Sequence, residues 1–253
     1  GGMLGVGGSV VMIPGLAILL GPAQHLYQAA AMIANVAVSL PAAIRHGRAG
    51  KLVPAALKML IPVTLVFVLI GVYLSNLQLF TGEGEVWLRR MFAAFLVYVI
   101  YLNVKKLRQG SAGEQSEGEA RVTPGRCGAV GGVMGTTAGL LGIGGGAIAV
   151  PLQQVLLRLP LRNCIANSSA IICVSAAVGA TMKTSTLDQH GEPWTDALWL
   201  AAAMAPSCIV GGFIGAALTH ALPLRVVRLA FVGLMVVACW RMSGLPWPWP
   251  WGG

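Results

Sequence analysis

Two short stretches of the chain combine clustered glycines with a trailing proline. One is GVGGSVVMIPG (residues 5–15) and the other is GIGGGAIAVPL (residues 142–152). Glycine adopts positive φ and lets a ligand approach the main chain, and the first amides of a following helix have no intrahelical partner. With the positive end of the helix dipole, such amides bind an anion without a charged side chain. The sequence therefore predicts two anion-binding loops.

We expect the ligand-binding residues to come from these loops and from the helix that follows each of them. The candidates are Gly7, Gly8, Ser9, Asn35 and Ser39 in the first half, and Gly144, Gly145, Gly146, Asn167, Ser168 and Ser169 in the second. Asn167, Ser168 and Ser169 are adjacent, so at most two of them face one cavity. Interhelical hydrogen bonding is the alternative role for the asparagine and serine side chains.

Three basic residues, Arg45, His46 and Lys183, fall near the ends of the helices that follow the loops. There they could draw anions to either mouth of a transport path. The alternative is that their side chains extend to the membrane surface while their apolar stems stay buried.

The composition is typical of a membrane protein. Mean hydropathy is +0.77 and 10% of the 253 residues are charged, against roughly 25% in soluble domains. The windows 1–44, 59–82, 127–157, 163–182 and 197–224 contain no Asp, Glu, Lys or Arg, and each is long enough to cross a bilayer. The net charge of +9 comes from basic residues scattered beside these windows. The positive-inside rule explains that distribution, so we expect no nucleic-acid partner.

A shift of 137 residues aligns one half of the chain with the other. It places Gly5, Gly7, Gly8 and Pro14 on Gly142, Gly144, Gly145 and Pro151. We therefore divide the chain into a first transmembrane repeat (1–107), a polar cytoplasmic linker (108–125), a second repeat (126–243) and a Trp/Pro-rich tail (244–253). In each repeat three helices follow the glycine element, and we predict them at 27–45, 54–76, 87–105, 163–182, 195–218 and 223–241. The half-helix that precedes the second loop has no counterpart in the first repeat, so we expect further sequence before Gly1.

The glycine elements decide the topology. If they cross the membrane, the two halves are parallel, and if they enter and return on the same side, the halves are inverted. With residues 45–58 in the cytoplasm, the re-entrant arrangement places more of the 17 Lys and Arg residues inside, as the positive-inside rule favours. We predict an all-α integral membrane protein of two inverted repeats, each a re-entrant or broken helix plus three transmembrane helices.

Outside the loops, the small and sulfur-containing residues fit structural roles. Gly128 and Gly132 have the spacing of close helix packing. The five cysteines lie in or beside apolar segments without CxxC spacing or clustered histidine, so we expect neither a metal site nor a disulfide frame. We also expect no cofactor. All eight carboxylates lie in predicted loops, which disfavours a proton relay or a sodium site within the membrane.

The paired loops, followed by QAAAMIANVAVSLPAAIRHGRAGKL (28–52) and IANSSAIICVSAAVGATMK (165–183), resemble the TauE/SafE sulfite exporter family, also called the TSUP family. The resemblance covers nearly the whole chain. It implies movement of sulfite, sulfoacetate or another sulfur-containing anion. Ser9 replaces a glycine of the family pattern, which makes the second loop the safer site assignment.

The resulting prediction is a transporter, not an enzyme, that exports a small sulfur-containing oxyanion by alternating access. We expect a multi-pass protein of the bacterial inner membrane, with the anion and the bilayer as partners and a homo-oligomer compatible with this design. Two alternatives stay open. One is an anion channel of the same architecture, and the other is a membrane sulfur-handling protein that depends on a cysteine such as Cys173.

Overall fold

The computed structural model describes residues 8–21, 23–80, 84–109 and 120–221, with short stretches between 229 and 240, and its described residues form helices and turns without a β-strand. The helices are α1 (Ser9–Leu20), α2 (Gln24–Arg48), α3 (Pro54–Ser75), α4 (Glu85–Gln109), α5 (Pro124–Leu141), α6 (Gly146–Leu152), α7 (Leu161–Ser185) and α8 (Trp194–Ala221). A π-helical turn, Gln153–Leu157, continues α6, and 3-10 turns occupy Gln78–Phe80 and Leu187–His190. Several predicted features lie outside the described residues. They are Gly7 of the predicted site, most of the predicted helix 223–241, most of the linker and the tail 244–253.

The two helices that follow each glycine loop have matching bounds in the two halves. Adding 137 to the bounds of α1 gives 146–157, which are the bounds of α6 with its π-helical turn. The same shift carries α2 onto α7. The helices extend a few residues beyond the predicted segments 27–45 and 163–182, because the polar residues at their ends continue the helical hydrogen bonding.

Helices α5 and α6 form a hairpin with the second glycine loop at its tip. The Arg121 amide donates to the Leu157 carbonyl at 2.9 Å, and the Arg126 guanidinium donates to the Leu156 carbonyl at 3.1 Å. These bonds hold the beginning of α5 beside the end of the π-helical turn. Helix α5 has 18 residues, a length of about 27 Å at 1.5 Å per residue. Both ends of the hairpin therefore lie on one side of the fold, and the tip, residues 142–145, lies far from them.

Helices α2 and α7, which are equivalent in the repeat, pack in opposite directions. Lys183 on α7 bonds to Gln28 on α2 through its ammonium. Gly179, four residues earlier on α7, lies beside Met32, four residues later on α2, since a Cβ at Gly179 would be 2.8 Å from the Met32 sulfur. Contacts that advance along one helix while receding along the other define antiparallel packing. The C-terminal end of α7 therefore lies beside the N-terminal end of α2.

Helix α5 packs in parallel against α3 through glycines at every fourth position. A Cβ at Gly131 would be 3.1 Å from Val63, and one at Gly135 or Gly139 would collide with the backbone of α3. The predicted packing residues Gly128 and Gly132 have a different environment: a Cβ has open space at Gly128 and ordinary contacts with a phenylalanine ring at Gly132. Gly132 also faces α3, since that ring belongs to Phe67, but the close helix packing is made by Gly131, Gly135 and Gly139 instead of the predicted pair.

Apolar side chains fill the space on both sides of the loop tip. One cluster joins α1, α2 and α4 around Tyr27, Phe92 and Ile143, and another joins α3, α5 and α7 around Leu60 and Met134. Three described helices, α2, α3 and α7, are long and apolar enough to cross a membrane. The chain is therefore a membrane protein. Its described helices surround the tip of the second loop.

Candidate anion-binding site

The first and second glycine loops meet at Asn35. The Asn35 amide nitrogen donates to Ser9 Oγ at 2.9 Å, and Ser9 Oγ donates to the Ile143 carbonyl at 2.9 Å. Ser9 is the first residue of α1, and Ile143 lies at the tip of the α5–α6 hairpin. We call Ser9, Asn35, Ile143 and Gly144 the loop-tip cluster. Ser9 and Asn35 are buried, so the cluster links both repeats inside the fold.

The second loop adopts a conformation that requires glycine. Gly142, Gly144 and Gly145 have φ of 71°, 65° and 76°, the left-handed region that L side chains rarely adopt. A Cβ at Gly144 would be 3.1 Å from the Asn35 amide nitrogen and 3.2 Å from Ile172 Cγ2. Glycine at this position therefore leaves room for the asparagine as well as allowing the turn.

Several main-chain donors at the tip are unused. The Gly142 amide donates to the Ala138 carbonyl, which ends α5. Within the described part of the chain, the amides of Ile143, Gly144 and Gly145 have no hydrogen-bond acceptor. Consecutive amides in a turn of this kind form a concave surface that suits an anion.

The remaining predicted loop residues lie close to the cluster. Gly8 caps α1, and a Cβ there would be 3.6 Å from Asn35 Oδ1. Gly145 caps α6 and Gly146 begins it. A further hydroxyl, that of Ser175 on α7, lies 3.5 Å from the Gly144 carbonyl and 3.3 Å from the Ile172 carbonyl. Ser175 is not among the predicted site residues, although its polar side chain on an apolar helix is a signal that could have identified it.

Asn167 lies away from the loop-tip cluster. Its Oδ1 accepts from the Val53 amide at 2.9 Å, and its Nδ2 donates to Gln153 Oε1 at 3.3 Å. Both partners belong to the end of the fold where α3 begins. In this structure Asn167 therefore has the interhelical hydrogen-bonding role that was the alternative to ligand binding.

The three predicted serines differ from one another in their surroundings. Ser169 donates to the Ile165 carbonyl of its own helix at 3.0 Å. The hydroxyls of Ser39 and Ser168 are buried without a partner in the described structure. Ser39 and Ser168 thus keep hydrogen-bonding capacity, whereas that of Ser169 is used within α7.

Of the three basic residues predicted at helix ends, only Lys183 is fully buried. Arg45 is exposed and His46 is half-buried at the end of α2. Lys183 is 2% exposed, because the last turn of α7 packs against α2 and α3. Its ammonium donates to Gln28 Oε1 at 2.5 Å and to Ser75 Oγ at 3.0 Å. This burial contradicts the alternative in which the Lys183 side chain extends to the membrane surface, and its role in attracting anions stays a prediction.

Two stacked histidines cover the same end of the fold. The rings of His25 and His190 are 3.8 Å apart and inclined by 7°. His25 Nε2 lies 3.0 Å from the Phe80 carbonyl, and His190 Nε2 lies 3.1 Å from Asn76 Oδ1. Burial and then the positive charge of Lys183 lower the pKa of His190 below its ordinary value of 6.5. No local pattern in the sequence indicates this pair, because its members are 165 positions apart.

The described residues contain no group of three or more His, Cys, Asp or Glu side chains that could hold a metal ion. The donors at the loop tip are amides and hydroxyls, and the nearby charged group is an ammonium. This set of groups suits an oxyanion.

Comparison with known proteins agrees with the motifs. Residues 1–242 match the family model described as "Sulfite exporter TauE/SafE". The chain belongs to the TauE/SafE family. The resemblance first seen in the paired glycine loops is therefore confirmed, and it extends over both repeats.

Relatives in this family carry names that refer to membrane transport. The chain is 29% identical to "Probable membrane transporter protein MamO" of Magnetospirillum gryphiswaldense, over 96% of this chain and 42% of the relative. It is 25% identical to "Probable membrane transporter protein YunE" of Bacillus subtilis, over 94% of this chain and 91% of the relative. The chain spans about two fifths of the length of the MamO proteins it matches. No solved structure matches it.

Proposed function

We propose that the chain is a membrane transporter that exports a small sulfur-containing oxyanion, such as sulfite or an organosulfonate like sulfoacetate. The observation that carries this proposal is the meeting of the two glycine loops at Asn35, where unused main-chain amides adjoin buried hydroxyl and amide side chains. An oxyanion with three oxygens can accept from several such donors at once. The family description supports this class of substrate, and the names of the relatives support membrane transport.

The absence of carboxylates from the surrounding helices favours an anion over a cation. Helices α2, α3, α5, α6 and α7 contain no Asp or Glu. A sodium ion or a transported proton would need acidic or carbonyl ligands at membrane depth. An anion meets no like charge along these helices.

The arrangement of the two halves supports an inverted repeat with re-entrant loops. Equivalent helices α2 and α7 are antiparallel, and the ends of the α5–α6 hairpin are joined by the bond between Arg121 and Leu157. In this topology the loops enter from opposite sides and their tips meet near the middle of the membrane. Rocking of one half against the other would expose the tips first to one side and then to the other, which is alternating access.

Charge and membrane potential favour export across the inner membrane of a bacterium. The last turn of α2 and the connection to α3 carry Arg45, Arg48 and Lys51, and basic segments of this kind remain in the cytoplasm. A membrane potential that is negative inside drives an anion outward by about 2.3 kcal/mol per charge per 100 mV. Export therefore needs no coupling ion in this proposal.

Flux measurements in proteoliposomes test the proposal. Vesicles with the purified full chain should release sulfite or sulfoacetate faster than empty vesicles, with saturation, and an inside-negative potential should accelerate release. Gly145→Leu should abolish this flux, because the side chain would enter a left-handed position 3.1 Å from the Met134 carbonyl. Gly50→Leu is the matched control, since Gly50 also has positive φ but open space around it. Absence of flux in the wild type would refute transport of these anions.

The same vesicles distinguish the two alternative functions. A channel would give single-channel currents far above transporter turnover. A cysteine-dependent mechanism would lose activity in Cys173→Ala, whereas the proposal predicts unchanged flux, because Cys173 has no role in the loop-tip cluster. The family description favours transport over either alternative.

A further inference from the structure

Lys183 is a buried cation whose observed partners are neutral. Its ammonium donates to the Gln28 side-chain oxygen and to the Ser75 hydroxyl, and Ser75 in turn donates to the Val72 carbonyl at 2.8 Å. No carboxylate forms an ion pair with Lys183 in the described part of the chain. A protonated lysine has three N–H donors, so this group retains one donor when it is protonated, and no carboxylate in the described part of the chain then balances its positive charge.

Gln28 connects this ammonium to the second glycine loop. The residue is fully buried, its oxygen accepts from Lys183, and its amide nitrogen has no partner in the described structure. Its Cβ and Cγ would be 2.5 Å and 2.6 Å from a Cβ at Gly142, so the glutamine packs directly on the loop. The Gln28 carboxamide and the Lys183 ammonium are therefore adjacent, and each has a buried N–H donor without an acceptor in the described structure.

The stacked histidines lie on the side of Lys183 that leads out of the fold. His190 follows α7 in the 3-10 turn and is half-buried, whereas His25 on α2 is 6% exposed. Each ring has one nitrogen bonded to a neutral oxygen. From the surface inward, the order is therefore histidine pair, Lys183 with Gln28, and loop-tip cluster.

We propose that Lys183 and Gln28 form a second anion-binding station, which holds a singly charged oxyanion between the histidine pair and the loop-tip cluster. This inference rests on the proposed transport function. A singly charged sulfonate or hydrogensulfite would neutralise the ammonium and accept from the unused Gln28 amide. A doubly charged ion such as sulfate would leave one uncompensated negative charge in a site of low dielectric constant, which is unfavourable.

The second station would make the charge of the ligand part of its selection, so that of the proposed substrates hydrogensulfite would bind there more tightly than sulfoacetate, whose carboxylate adds a second negative charge. The loop-tip cluster offers neutral donors, which do not discriminate between singly and doubly charged oxyanions. The Lys183 station adds one positive charge on the path to that cluster. A transported monoanion would exchange between the two along Gln28, which touches both Lys183 and the loop at Gly142.

Binding to the purified full chain tests this inference, with methanesulfonate as the monoanion and sulfate as the dianion. Lys183→Met should weaken methanesulfonate binding by at least about tenfold, because a charge-assisted hydrogen bond is lost. Lys183→Arg should retain most of the affinity, and Lys58→Met should bind like the wild type, since Lys58 is exposed. Sulfate, which the neutral donors of the loop-tip cluster can bind, should have the same affinity in Lys183→Met as in the wild type.

The fold is monitored separately by thermal unfolding. This measurement shows whether Lys183→Met folds, since the substitution also removes the hydrogen-bond donor to Gln28 and Ser75. If Lys183→Met does not fold, Gln28→Leu is the second variant and should show the same selective loss of methanesulfonate. Unchanged methanesulfonate affinity in a folded Lys183→Met or Gln28→Leu protein, or an equal loss of sulfate affinity in that protein, would overturn the inference.

Failure of this inference is distinguishable from failure of the proposed function. Saturable sulfite flux with the wild-type KM in Lys183→Met would support the proposed transport function and refute the second anion-binding station. Loss of methanesulfonate binding in Lys183→Met, together with no flux in wild-type vesicles, would retain the station and refute transport.

Discussion

Replacing Gly144 by alanine perturbs both the conformation of the second loop and its contact with Asn35. Gly144 has φ of +65°, and an alanine there costs roughly 1–2 kcal/mol for the left-handed conformation. The new Cβ would lie 3.1 Å from the Asn35 amide nitrogen, closer than ordinary van der Waals contact. The asparagine must therefore move away from Ser9 by a few tenths of an ångström or change its rotamer.

The matched substitution Gly50→Ala separates the two effects. Gly50 has φ of +64° and nothing within 4 Å of its Cβ position, so it has the same conformational cost without the collision. Disturbing the buried hydrogen bond between Asn35 and Ser9 adds about 1–3 kcal/mol in Gly144→Ala. We therefore expect Gly144→Ala to reduce the free energy of unfolding by roughly 2–5 kcal/mol, and Gly50→Ala by about 1–2 kcal/mol.

Thermal unfolding in detergent and sulfite flux in proteoliposomes measure these effects. Gly144→Ala should unfold at a lower temperature than Gly50→Ala and should have a higher KM for the anion. Gly50→Ala should keep the wild-type KM. Equal stability and equal KM in the two variants would refute the reasoning that Gly144 makes room for Asn35.

Three further predictions concern packing, buried hydrogen bonding and protonation. Gly139→Leu should prevent α3 and α5 from packing and abolish folding, whereas Gly128→Leu should fold normally because its Cβ position has open space; yield and thermal unfolding distinguish them. Asn167→Leu should reduce the free energy of unfolding by about 1–3 kcal/mol, since the Val53 amide just before α3 loses its acceptor. Half-exposed Asn163, mutated to leucine, is the control. Because the fold lowers the pKa of His190, the unfolded chain binds more protons below about pH 6.5. This contribution to stability is complete above that pH and is lost as pH falls, so His190→Gln should show a smaller decrease in unfolding temperature between pH 7 and pH 5 than the wild type, as pH-dependent thermal unfolding can measure.

The helical framework follows from the sequence because its determinants are local. Charge-free windows, glycine clusters and the 137-residue shift predict α2, α3 and α7 within a few residues of their observed bounds. The predicted proximity of Ser9, Asn35 and Gly144 also agrees with the structure, since each loop is followed by an equivalent helix. Local pattern and internal repetition were sufficient for these features.

The roles of Asn167 and Lys183 depend on packing between distant segments. Asn167 bonds to Val53, just before α3, and to Gln153 at the end of the α5–α6 hairpin, and no spacing within α7 indicates these partners. Lys183 lies only two residues from the end of α7, a position typical of side chains that reach the membrane surface. Its burial is caused by α2 and α3, and it becomes visible only when these helices are assembled.

Anion affinity of an Asn35→Leu variant tests most directly whether the meeting point of the two loops is the binding site. Titration of the purified full chain with sulfite should give saturable binding, and Asn35→Leu should weaken it by at least about tenfold. Asn163→Leu, with the same change of side chain on the surface of α7, should bind like the wild type. Equal sulfite affinity in a folded Asn35→Leu protein and in the wild type would contradict the assignment of the loop-tip cluster as the anion site.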